Sequence, residues 1–129
     1  MADFTLPPIK GSDFVVKDSG YRELMDTGSV RDSREGKGRF DLIPAKPLKR
    51  IALVFEKGAA KYGERNWEKG QKISRALDSA IRHLNDYKDG EATEDHLAHA
   101  AVNLMFIMHF EDVMPEMQDI PTRPDHGKR

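Results

Sequence analysis

The sequence predicts an all-α fold: an antiparallel helical bundle with an extended N-terminal arm, completed by oligomerisation. Three observations point there. Apolar residues recur at helical spacing in three segments between residues 44 and 113, each bounded by start and stop signals. The connections between the segments are short, which favours antiparallel neighbours. The third segment is apolar nearly all round, and such a helix is buried. A three-helix monomer of 129 residues has too little body to bury it, so a second copy is expected to cover one face.

Residues 1–44 show little periodicity and carry Pro7-Pro8 and five glycines, Gly11, Gly20, Gly28, Gly36 and Gly38. They read as an extended arm, partly disordered or lying over its own body or a neighbour, with Phe14-Val15-Val16 as a candidate strand. Gly36-Lys37-Gly38-Arg39 has the composition of a phosphate-handling loop, but not the GxxxxGK[ST] spacing that makes such a loop diagnostic.

Pro44 and Pro47 suit the first turn of a helix. Leu48, Ile51, Ala52, Phe55, Ala59 and Tyr62 then recur on one face, and Gly63 stops the helix. Gly58 inside it costs about 1 kcal/mol relative to alanine, which suggests close approach of a backbone or a ligand. Residues 63–70 form a loop with the single tryptophan. There Asn66 can read a base edge, Arg65 can hold a phosphate, and Trp67 either stacks on a base or plugs the end of the core.

Ser74 is the expected cap of the second helix, whose buried face is Ile73, Ala76, Leu77, Ala80, Ile81, Leu84 and Tyr87. His83 borders that face. Gly90 closes the helix. Thr93 is the expected cap of the third helix, which runs from about residue 94 to 113. Pro115 stops it, and residues 115–129 read as a flexible tail. The domain plan is therefore an arm over 1–44, a helical catalytic domain over 45–114 and a tail over 115–129.

The chemistry concentrates in residues 82–103, which hold three of the five histidines. At 100° per residue, Asp95, His96, His99 and Asn103 share a sector roughly 100° wide on the third helix. Burying four polar groups on an apolar helix is costly unless they pair with one another or bind something. Glu91, Asp95 and His99 can reach one ion, with His83 or His96 as ligand or orienter. The alternative is a buried hydrogen-bond network. The chain has no cysteine, which removes thiol catalysis, disulfides and thiolate metal sites and leaves oxygen and imidazole donors. Such a set suits Mg²⁺ or Mn²⁺. Lys57, Lys61, Arg65, Lys69, Lys72, Arg75 and Arg82 flank this cluster in sequence, as a polyphosphate would need, and Lys37 and Arg39 on the arm could add to them. Net charge is −1, so neither nucleic acid nor an anionic membrane is expected as a partner. No apolar run approaches the roughly 18 residues of a span, and the N-terminus lacks a secretory pattern, so a cytoplasmic protein is expected.

Several blocks occur in one order: Gly36-Lys37-Gly38-Arg39-Phe40-Asp41-Leu42-Ile43-Pro44, Lys61-Tyr62-Gly63-Glu64-Arg65-Asn66-Trp67, Arg82-His83-Leu84, Gly90-Glu91 and His96-Leu97-Ala98-His99-Ala100. Together they resemble the phage dATP/dGTP diphosphohydrolases of the MazZ type, which are similar to the all-α MazG nucleotide pyrophosphohydrolases. The resemblance spans about residues 30–113. It implies an oligomeric, metal-dependent enzyme that cleaves dGTP or dATP to the monophosphate and pyrophosphate, in the host cytoplasm. In phages that use 2-aminoadenine, such enzymes supply dGMP for the modified base. The ExxE and ExxD signature of MazG is absent: Glu56 has Ala59 at +3, and Asp78 has Arg75 at −3. The expected metal ligands are therefore Glu91, Asp95 and His99, with Glu56 in addition. The expected catalytic groups are His83, Glu91, Asp95 and His96. The expected substrate contacts are Lys37, Arg39, Lys61, Arg65, Asn66, Trp67, Arg82 and Asn103. A triphosphohydrolase and a non-enzymatic helical interaction module are the alternatives. The first, in its HD form, needs an adjacent His-Asp pair, and the chain has only the reversed Asp95-His96.

Overall fold

The computed structural model describes residues 3–5, 15–18 and 20–123. The chain divides into two compact units, residues 1–42 and 43–129.

The first unit holds two antiparallel hairpins where the sequence suggested an extended arm. β1 (Asp3–Thr5) pairs with β2 (Val15–Lys17), which includes Val15 and Val16 of the expected strand; Phe14 lies outside the described residues. β3 (Arg22–Leu24) pairs with β4 (Val30–Asp32), with Arg22 opposite Asp32. Gly28 turns this second hairpin at φ 91°, a conformation open to glycine without penalty. These strands stay short because the segment has no alternating apolar stripe to bury.

The second unit is helical. α1 (Ala45–Tyr62), α2 (Ile73–Lys88) and α3 (His96–Val113) form the bundle. α3 is the common partner: α2 packs along it most extensively, and α1 packs on it as well. The core of α2 is a narrow stripe, Ile73, Ala76 and Ala80, all buried. His83, partly buried, continues that stripe by one more turn. α3 buries Ala98, Ala100, Val102 and Phe110, and also His96. Small residues let the two helices lie close, so long polar side chains at the end of the stripe come within reach of one another.

Three expectations change. Ile81, Leu84 and Tyr87 do not belong to the buried face of α2; they are exposed, Ile81 by 57%. On α3, Leu97, Leu104 and Met108 also face outward in this chain, as the all-round apolar sequence requires of a single copy. Second, Ser74 does not cap α2 with its own oxygen. Its N–H and hydroxyl both donate to Asp119, at 2.8 and 2.5 Å, so a carboxylate 45 residues away satisfies the first turn. Third, Thr93 does not cap α3. Its N–H donates to Glu91 Oε1 at 2.6 Å, and its hydroxyl bonds the same carboxylate. Asp95 takes the cap, accepting from the Ala98 N–H at 3.1 Å.

Gly63 ends α1 at φ 94°, as expected, and Gly70 closes the loop that follows at φ 102°. After α3 the chain turns at Pro115–Met117, buries Gln118 and returns Asp119 to α2. Among the described residues, no helix is long and apolar enough to cross a membrane.

The two interior glycines predict opposite outcomes. A Cβ on helical Gly58 meets nothing within 4 Å, so Gly58→Ala stabilises by roughly 0.5–1 kcal/mol through helix propensity and chain entropy. A Cβ on Gly70 falls 2.8 Å from Met114 Cε in a backbone region reserved for glycine, so Gly70→Ala destabilises by about 1–3 kcal/mol. Urea unfolding midpoints of the two variants should move in opposite directions.

Candidate metal centre and nucleotide cleft

The turn between α2 and α3 gathers the ionisable groups. His83 arrives from the last part of α2, Glu91 and Glu94 from the turn, and His96 from the first residue of α3. His83 Nδ1 lies 2.9 Å from His96 Nδ1. Glu94 Oε1 lies 3.3 Å from His83 Nδ1 and 3.5 Å from His96 Nδ1. These three residues form a group able to hold a metal ion. On the far side of the ring, His96 Nε2 bonds Glu91 Oε2. His96 is 4% exposed, whereas Glu94 is open to solvent, so the group has a buried end and an accessible end. Two imidazoles and a carboxylate are donors a divalent cation accepts, and together they fit one.

The local electrostatics shift His83, Glu91 and Asp95. Burial pushes His83 below its ordinary range, and the neighbouring His99 adds to that. A neutral imidazole keeps a lone pair for an ion. The Thr93 hydroxyl and N–H, then His96, hold the Glu91 carboxyl down to about 2. Arg50 holds Asp95 at about 2 by a two-pronged pair, Nε to Oδ2 at 2.7 Å and Nη2 to Oδ1 at 2.6 Å. With Asp95 also capping Ala98, its oxygens point at Arg50 and the start of α3.

A cleft of about 800 Å³ opens beside the cluster. α1 contributes Phe55, Lys61 and Tyr62; the following loop contributes Arg65, Asn66 and Trp67; α2 contributes Arg75, Asp78 and Arg82; and α3 contributes His99, Asn103 and Phe106. His99 stacks on His83, with ring centroids 4.8 Å apart at 15°. One imidazole therefore stands between the cleft and the candidate metal group. Asn103 is held by the His99 carbonyl at 2.9 Å and by Ser79 Oγ at 3.3 Å. Trp67 stacks on Phe106, centroids 5.0 Å apart, and meets His109 edge-on at 4.8 Å. It lines the cleft and closes the core at once. Arg65 holds φ 59°, the only positive value off glycine among the described residues, and pairs with Glu68 at 2.6 Å. A strained backbone of this kind is common where a side chain must be aimed.

Of the residues singled out from the sequence, the cleft brings together Lys61, Arg65, Asn66, Trp67, Arg82, His99 and Asn103. Glu91, Asp95 and His96 line a separate, smaller hollow with Arg50 and Glu94. Glu56, on α1, lines neither. Lys37 and Arg39 belong to the first unit, where Lys37 pairs with Asp32 at 2.7 Å and Arg39 with Asp41 at 2.9 Å. Sequence reasoning passed over Arg50 and over Glu94 as a candidate ligand. Glu94 was within reach, because any carboxylate in that turn was a candidate. Arg50 carried no local signal.

A family model of the N-terminal region of dATP/dGTP diphosphohydrolases matches residues 27–120. The chain belongs to the dATP/dGTP diphosphohydrolase family. A relative described as a dATP/dGTP diphosphohydrolase, from Salmonella phage PMBT28, is 38% identical over 91 residues. That alignment covers 66% of this chain and 31% of the relative, so the chain spans about a third of the length of the protein it matches. No solved structure matches. The family match embraces the helical unit with both the cleft and the cluster, and it agrees with the resemblance read from the motif order.

The Arg50–Asp95 pair predicts an acid limb of stability. The folded value of Asp95 lies below its ordinary 3.8, so the pair adds stability at and above about pH 4, and this is lost as pH falls towards 2. Asp95→Asn should lower the melting temperature at neutral pH and flatten the decline between about pH 4 and 2. Circular dichroism melts across that range check it.

Proposed function

We propose that this chain carries the nucleotide and metal site of a diphosphohydrolase that converts a purine deoxynucleoside triphosphate, dGTP or dATP, to its monophosphate and pyrophosphate with Mg²⁺ or Mn²⁺. The observation that carries the reading is the His83, Glu94 and His96 group set one imidazole away from a cleft lined with both cations and aromatic rings. The name borne by the phage relative points to the same substrates.

In this reading Lys61, Arg65 and Arg82 neutralise the triphosphate. Phosphoryl transfer asks mainly for positioning and charge stabilisation, and these side chains need supply little else. The aromatic wall of Phe55, Trp67 and Phe106 receives the base, and Asn66 hydrogen-bonds its edge. His83, Glu94 and His96 hold the ion, with Glu91 behind His96 and Asp95 fixing the start of α3 through Arg50. His99, facing the cleft, accepts the proton of the attacking water. That water adds to a phosphorus of the α–β anhydride, the bridging P–O bond breaks, and pyrophosphate leaves. When bound, a divalent ion supplies Lewis-acid polarisation of a phosphoryl oxygen. The exposed apolar residues of α2 and α3 are covered by a second copy, which completes the bundle. The product dGMP serves phage 2-aminoadenine synthesis in the host cytoplasm.

Incubation with dGTP or dATP and Mg²⁺ or Mn²⁺ should give the monophosphate and pyrophosphate, and chelation should abolish turnover. Arg82→Ala and His96→Ala should each lower kcat/KM by roughly 10²–10³-fold. Release of tripolyphosphate, or no turnover of any deoxynucleoside triphosphate, overturns the reading.

A further inference from the structure

The proposed function admits either Mg²⁺ or Mn²⁺. The cluster itself discriminates between classes of ion. Glu91 Oε2 contacts His96 Nε2. An ionised carboxylate only accepts hydrogen bonds, so in the neutral His96 ring Nε2 carries the proton and Nδ1 presents a lone pair. That lone pair faces His83 Nδ1 at 2.9 Å and Glu94 Oε1 at 3.5 Å. Two lone pairs do not face each other at 2.9 Å without something between them. In the metal-free protein it is the proton on His83 Nδ1, which Glu94 Oε1 also faces at 3.3 Å. A bound cation would take the place of that proton, which would move to the other nitrogen of the same ring.

Ligands about 2.0–2.1 Å from a common ion stand roughly 2.8–3.4 Å apart, the short end octahedral and the long end tetrahedral. The three observed separations are close to those values. Two of the three donors are imidazole nitrogens, and nitrogen donors favour first-row transition dications, with affinity rising from Mn²⁺ through Co²⁺. Mg²⁺ prefers oxygen ligands and retains its waters. We propose that His83, Glu94 and His96 select a first-row transition-metal dication over Mg²⁺, and that Glu91 is the positioning residue that sets this choice by fixing the His96 tautomer. The inference rests on the metal reading above and assigns Mg²⁺, where present, to the phosphates of the nucleotide.

Co²⁺ is the probe, added to the chelator-treated full chain without nucleotide. Visible d–d absorption should appear on binding and persist under a roughly hundredfold excess of Mg²⁺. Glu94→Gln, at an exposed position where the fold is not at risk, should abolish it. Nitrogen NMR of the histidines should find His96 protonated on Nε2 with and without metal, and His83 shifting from Nδ1–H to Nε2–H on loading with diamagnetic Zn²⁺. Glu91→Ala should release the His96 tautomer and weaken Co²⁺ binding roughly 10–100-fold. Displacement of Co²⁺ by Mg²⁺ at comparable concentration, or unchanged Co²⁺ binding in Glu94→Gln, overturns the inference. So does an unchanged His96 tautomer in Glu91→Ala. Turnover supported by Mg²⁺ alone alongside any of these leaves the diphosphohydrolase reading standing; absence of turnover alongside retained Co²⁺ selectivity defeats that reading and not this one.

Discussion

The close packing of α2 on α3 through small residues is the constraint on which the helical unit depends. Ala76 and Ala80, buried on the helix that packs most extensively on α3, take up little space between the two backbones. The stripe from Ile73 through Ala80 then ends in His83, so the last member of an apolar series is an imidazole pointing at its counterpart on the next helix. Larger residues in the stripe would hold the helices apart and separate His83 from His96. The polar cluster is thus a product of core packing, and its burial is tolerable because every buried side-chain polar atom among the described residues has a partner.

Two long-range carboxylate contacts set the ends of these helices. Asp119 satisfies the first turn of α2, and Asp95, steadied by Arg50 of α1, starts α3. Each links segments 45 residues apart. Each also places a negative charge where the helix dipole favours it. Consequently the position of His96, first residue of α3, is referred back through Asp95 to α1 as well as to α2. The catalytic reading needs that arrangement, since a ligand set tolerates little displacement.

This division explains what the sequence disclosed. Helix existence and extent followed from periodicity and glycine stops, and α1 ends at Gly63 as its pattern demanded. The crowding of histidines and acids in residues 82–103 marked the cluster, and Lys61, Asn66, Trp67, Arg82 and Asn103 do line one cleft. Facing was harder: Ile81, Leu84 and Tyr87 fit a helical stripe but lie outside, because an amphipathic pattern does not say whether the partner is in the same chain. Caps were hardest. Thr93 and Ser74 are the preferred residue types at plausible positions, yet Glu91 and Asp119 recruit their donors. The second hairpin of the first unit lay below the reach of pattern reading, being strands of three residues with no apolar alternation.

Glu91 receives three contacts from its own neighbourhood: the Thr93 N–H, the Thr93 hydroxyl and His96. The turn over residues 89–95 therefore has a fixed internal metric, because one residue more or fewer would carry the carboxylate past either Thr93 or His96. In the drift of related sequences, insertions and deletions should be tolerated in the hairpin loop of residues 25–29 and excluded from this turn. Its length, more than the identity of any one of its side chains, would then be the trait under selection.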